Sequence, residues 1–77
     1  MVRVKLFANF REIAGAKELE VDAKTLRELM ELLKSRYPQF EKLYEYSIVM
    51  VNGKAVDGDK ELDENDVVAL LPPVSGG

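Results

Sequence analysis

The last six residues, Pro72-Pro73-Val74-Ser75-Gly76-Gly77, carry the pattern best suited to chemistry. A strand-like run, Val67 to Leu71, meets two prolines, which fix φ and lack an N–H and so cannot continue a sheet ladder. A proline pair favours a stiff, extended segment, so the tail is expected to leave the domain rather than fold back on it. Gly76 and Gly77 have no Cβ, so they can pass a narrow channel and bring a carboxylate against another protein's backbone. The pattern predicts the Gly77 carboxylate as the reacting group, delivered by Pro72, Pro73, Val74, Ser75 and Gly76. A glycine-rich terminus is also the ordinary composition of a frayed chain end. The Pro-Pro spacer between strand and glycines favours the reactive reading. The chain then divides into a folded domain, 1–71, and an extended reactive tail, 72–77.

Other chemistry is sparse. The 77 residues make one small domain, too small for a deep catalytic cleft. With no Cys and no His, disulfides, zinc thiolate sites, thiol nucleophiles and imidazole acid–base catalysis are excluded from this chain. Asp57, Asp59, Glu61, Asp63, Glu64 and Asp66 cluster without the spacing of a calcium loop and read as a solvated acidic loop; no metal is expected. Arg3, Lys5, Asn9, Arg11 and Glu12 interrupt the N-terminus, so no signal peptide is read there, and no apolar run reaches membrane-spanning length. A cytoplasmic protein is expected. The net charge of −3, with acids and bases interspersed, argues against nucleic-acid binding and suits a partner with a basic face.

The elements that must position the tail follow from periodicity. Val2–Phe7 alternates with period two, with Val2, Val4 and Leu6 on one face and Arg3, Lys5 and Phe7 on the other. Asn9 is expected to cap a short helical turn closed by Gly15. Lys17 to Val21 alternates again and reads as a second strand, antiparallel to the first. Thr25-Leu26-Arg27-Glu28 is a capping box opening the main helix, whose apolar stripe is Leu26, Leu29, Met30, Leu33 and Tyr37 and which Pro38 stops. A short helical turn over Phe40–Tyr46 is expected to pack Phe40 and Leu43. Ser47–Val51 reads as strand three, Asn52-Gly53 as a type I′ hairpin turn, Lys54–Val56 as a return strand and Val67–Leu71 as the last strand. This order predicts an α+β fold of the β-grasp (ubiquitin-like) type. Its four- to five-stranded mixed sheet is covered by one main helix, with the first and last strands parallel.

With those residues placed, the sequence resembles the ubiquitin-like sulfur carriers, and among them the small subunits of molybdopterin synthase. The resemblance runs the full length. It is most specific in Pro72-Pro73-Val74-Ser75-Gly76-Gly77, which matches the family's PPV-x-GG ending. Further matches are the opening strand followed by Ala8, Arg11-Glu12 and Gly15, and Val51-Asn52-Gly53 at the hairpin. The family's Gly-Asp before the last strand is replaced by Asn65-Asp66, where Asn tolerates a left-handed backbone. The resemblance implies that a ubiquitin-activating-type adenylyltransferase, using ATP and magnesium, adenylates Gly77, while the chain itself binds no cofactor. Sulfur from a donor then replaces AMP, giving a thiocarboxylate. The tail next enters the large catalytic subunit, in an expected heterotetramer, and passes sulfur to cyclic pyranopterin monophosphate on the way to a molybdenum or tungsten cofactor. On this reading the chain is a carrier subunit and not an enzyme on its own, with acid–base work supplied by its partners.

In the same reading Val68 and Leu70 point inward, while Val67, Ala69 and Leu71 face outward beside Phe7. Phe7, Ala55 and Leu71 form the expected docking patch for the large subunit. A one-residue slip would invert that phase. Two alternatives share the fold and the Gly-Gly ending: a thiamine-pathway sulfur carrier, whose tail generally lacks the Pro-Pro-Val spacer, and a ubiquitin-like modifier joined to lysines of other proteins.

Overall fold

Alternation of valine and leucine with arginine and lysine produces the strand it predicts. In the computed structural model, which describes residues 1–44, 47–56 and 59–72, β1 spans Val2–Leu6 with Val2, Val4 and Leu6 buried and Arg3 and Lys5 exposed. The strand stops one residue short of the expected Phe7, because Ala8 takes a positive φ of 49° and turns the chain. Helix α1 then runs Asn9–Ala14. This corrects the expected cap: Asn9 is the first helical residue, and the N-cap is Ala8, which makes no side-chain cap bond. Gly15 closes α1 as expected. Its left-handed backbone, φ 71°, lets its N–H donate to the Arg11 carbonyl at 2.8 Å.

Strand β2, Glu18–Val21, returns antiparallel to β1, with Val2 opposite Val21 and Lys5 opposite Glu18. Helix α2 spans Leu26–Arg36, and the Thr25 hydroxyl oxygen accepts from the Glu28 N–H at 3.1 Å. Leu26, Leu29 and Leu33 are buried, and Met30 and Tyr37 pack half-buried against them. Two more amides of the first turn find acceptors far along the chain. The Leu26 N–H donates to the Lys60 carbonyl at 2.7 Å, and the Arg27 N–H to Asp59 Oδ1 at 2.9 Å. These bonds satisfy donors that every helix start leaves open.

Helix α3, Phe40–Tyr44, is the expected short turn. Phe40 is fully buried, edge-on to Phe10 at 5.0 Å and stacked on Tyr37 at 5.0 Å. That cluster joins α1, the end of α2 and α3. The expectation for the Leu43 side chain falls outside what is described. Strand β3, Ile48–Val51, leads through Asn52 and Gly53, with φ of 52° and 83°, into β4, Lys54–Ala55. Two successive positive φ values are what a type I′ turn requires. Strand β5 is Val67–Leu71, as expected. Outside glycine, the described residues have positive φ only at Ala8 and Asn52, so Asn65 reaches β5 without the left-handed conformation invoked for it.

The sheet has five strands in the order β2-β1-β5-β3-β4, with β1 and β5 parallel at its centre and the other pairs antiparallel. This is the β-grasp arrangement. Val68 and Leu70 are completely buried, so β5 has the expected phase. No helix among the described residues is long and apolar enough to cross a membrane.

Candidate functional site: the outer sheet face and the root of the tail

One side of the sheet packs on α2; the other carries the residues that sequence singled out. On β5, burying Val68 and Leu70 leaves Val67, Ala69 and Leu71 outward and half-buried. On β3, Val51 is buried and Val49 packs on the core, which turns Ile48 and Met50 outward. The register aligns these side chains: Leu71 lies opposite Ile48, Ala69 opposite Met50, and Met50 opposite Ala55. Leu6 pairs with Leu70 on the other side of β5, so Phe7, the next residue, follows the strand towards Leu71. The expected trio is therefore on one continuous face, with Phe7 and Leu71 half-buried and Ala55 exposed on the β4 edge. By register, Ile48 and Met50 lie on this face between β5 and Ala55.

Basic groups border this face. Lys5 is opposite Ala69 and Arg3 opposite Val67, and both are exposed. The Arg11 guanidinium carbon lies 5.9 Å from the centre of the Phe7 ring, and Arg11 Nε donates to the Leu6 carbonyl at 3.4 Å. An aromatic on a charged strand face thus has a cation as neighbour, a contact worth about 0.5–1 kcal/mol at exposed sites. Glu18 and Glu20 on β2 oppose Lys5 and Arg3, so the charge balances towards that edge.

Sequence reasoning missed Ile48, Met50 and Arg11 as members of this face. Ile48-Val49-Met50-Val51 is apolar throughout, so period two cannot say which side each residue takes. Arg11 is brought to Phe7 by the turn at Ala8, which no residue type announced. Of the tail, Pro72 is described and half-buried directly after Leu71; the expectations for Pro73, Val74, Ser75, Gly76 and Gly77 lie outside the described residues.

The described acidic residues are mostly exposed, as a solvated loop should be, and two of them also accept from backbone amides. Asp59 Oδ1 accepts from the Lys60 and Arg27 amides. Asp66 Oδ2 accepts from the Asp63 N–H at 2.9 Å, and Asp66 Oδ1 from Asn52 Nδ2 at 2.9 Å. The backbone bond from Asp63, then the Asn52 amide, hold the Asp66 carboxyl below its ordinary value. Asp57 lies outside the described residues. Among the described residues, no group of three or more His, Cys, Asp or Glu is placed to hold a metal ion.

Comparison with known proteins places this architecture. Residues 4–77 match the model of the ThiS family. The molybdopterin synthase sulfur carrier subunit of Dictyostelium discoideum is 36% identical over 81 residues, covering 97% of this chain and 94% of that protein. The small archaeal modifier protein 1 of Methanosarcina acetivorans has the same fold with a TM-score of 0.82 and 30% identity, covering 99% of this chain and 95% of its own. In the complex of subunits 1 and 2 of the molybdopterin-converting factor from Helicobacter pylori, the matching chain has a TM-score of 0.77 and 26% identity, with 99% and 97% covered. A β-grasp fold matched from end to end by such proteins leaves one assignment: the chain belongs to the ThiS family of ubiquitin-like sulfur carriers.

Proposed function

We propose that the protein is the sulfur-carrier subunit of a molybdopterin synthase. Its Gly77 carboxylate is adenylated by an activating enzyme that uses ATP and magnesium. The adenylate is exchanged for sulfur to give a thiocarboxylate, and the sulfur is delivered to cyclic pyranopterin monophosphate inside a large catalytic subunit. The chemical logic is that a carboxylate is a poor electrophile until it becomes a mixed anhydride, and that unhindered glycines let one tail serve two active sites. The observation that carries the reading is the outer sheet face. Half-exposed Phe7, Ile48, Met50, Ala69 and Leu71 form an apolar surface that ends at Pro72, so a partner seated on it lies at the root of the tail. The similarity to a subunit known in complex with its partner supports the same reading. Deleting Gly77, or adding one residue after it, is expected to abolish ATP–pyrophosphate exchange by the activating enzyme while the domain keeps its fold; unchanged exchange overturns the proposal. Intact mass of the protein from its host is expected to show one oxygen replaced by sulfur at the C-terminus.

The likeness to an archaeal modifier protein supports a second reading, in which Gly77 is joined to lysines of other proteins. Denaturing gels separate the two: a modifier gives a ladder of covalent adducts, and a dedicated carrier does not.

A further inference from the structure

Asn52-Gly53 makes the hairpin turn, and it is also a dipeptide prone to cyclise, because Gly53 has no Cβ to shield its backbone nitrogen from the Asn52 side chain. Both residues are exposed, and an added Cβ on Gly53 would meet nothing within 4 Å, so water and base reach the site. Yet the Asn52 side chain is held at both ends. Its Oδ1 accepts from the Val67 N–H at 2.9 Å and its Nδ2 donates to Asp66 Oδ1 at 2.9 Å, while the backbone N–H of Asn52 donates to the Val67 carbonyl at 2.8 Å. We propose that Asn52 is a latched deamidation site: Asp66 and the Val67 amide hold its carboxamide away from the Gly53 nitrogen, and opening that latch converts it to aspartate or isoaspartate.

The step balances without a further reagent. The deprotonated Gly53 nitrogen attacks Asn52 Cγ, the new C–N bond closes a succinimide, the Cγ–Nδ2 bond breaks, and ammonia leaves with the proton. Water opens the ring at either carbonyl. Opening at one carbonyl places a carboxylate where Nδ2 had been, against the Asp66 carboxylate, replacing a hydrogen bond with like-charge repulsion. Opening at the other adds a methylene to the backbone of a two-residue turn, which the type I′ geometry cannot hold. The aspartate product keeps both bonds to Val67 and loses only the one to Asp66, whereas the isoaspartate product also displaces the turn backbone, so the junction of the hairpin with the first residue of β5 is weakened in the first case and distorted in the second.

The test follows the amide-to-acid mass change at position 52 in the full chain under mildly alkaline incubation, beside a peptide of residues 49–56. The folded protein should react roughly tenfold or more slowly than the peptide, as expected when reaction waits on local opening. Asp66→Ala should move the rate towards that of the peptide. Asp66→Asn keeps an acceptor but loses the charge, and should fall between; it carries the test if the alanine variant fails to fold. Thr25→Ala removes a bond at the start of α2 without touching the latch and should leave the rate unchanged. A wild-type rate equal to that of the peptide overturns the proposal. So does an Asp66→Asn rate no faster than wild type, or a Thr25→Ala rate raised as much as the Asp66 variants.

Discussion

Phe7 stands just past β1, half-buried, with the Arg11 guanidinium beside its ring. Its position separates two kinds of aromatic in this small protein. Phe10 and Phe40 are buried against each other and hold three helices together; Phe7 is on the opposite side of the sheet. Phe7→Ala should therefore lower thermal stability by about 1 kcal/mol or less, the scale of an exposed cation–π contact. Truncation of a core phenylalanine would instead cost about 3–5 kcal/mol. If Phe7 anchors the large subunit, the same substitution should weaken that complex by about 2 kcal/mol or more. Calorimetric unfolding and a binding isotherm on one preparation measure both. A large stability loss with normal binding would refute the docking role.

Between elements, the junction of the β3–β4 hairpin with β5 depends on a charged group. Asp66 accepts from the Asp63 backbone and the Asn52 amide, and both bonds favour its ionised form. The folded-state pKa is thus lowered relative to the unfolded chain. The resulting stability is present above the ordinary aspartate pKa and is lost as pH falls through the lowered folded value. Asp66→Asn should flatten this acid limb of the stability profile and lower stability at neutral pH. Chemical denaturation across the acid range reads both effects, and a parallel downward shift with an unchanged acid limb would show that Asp66 does not titrate the junction. At the start of α2, Asp59 Oδ1 accepts from the Arg27 amide, 32 residues earlier in the chain.

Across the full chain, β5 is both the middle of the sheet and the carrier of the tail. Parallel to β1 and antiparallel to β3, it cannot shift without breaking two ladders, so Leu71 and Pro72 are presented at a fixed place. If Pro72-Pro73 then aims the tail, replacing both by glycine frees the unbound tail and raises the entropy lost on insertion. The double variant should bind the large subunit about 1–2 kcal/mol more weakly, at 0.4–1 kcal/mol per proline, and transfer sulfur more slowly while its melting temperature holds. Equal affinities and rates would mean that the prolines only end the strand.

Local signals determined much of this protein. Period-two alternation in Val2–Leu6 fixed which side chains enter the core, because one face of a half-buried strand must be apolar. Thr25 marked the start of α2, since its hydroxyl can meet an amide three residues on. Asn52-Gly53 marked the hairpin, because both residues accept positive φ. Tertiary structure decided the rest. Ile48 and Met50 joined the outer face only when β3 paired with β5, since a uniformly apolar strand carries no record of its own orientation. Asp59 became a brace for α2, and Asp66 a lock on Asn52, through partners 32 and 14 residues away, distances over which no local pattern can act. The helix start at Asn9 shifted because the backbone turned at Ala8, a conformation imposed by the strand and helix on either side of it rather than by alanine.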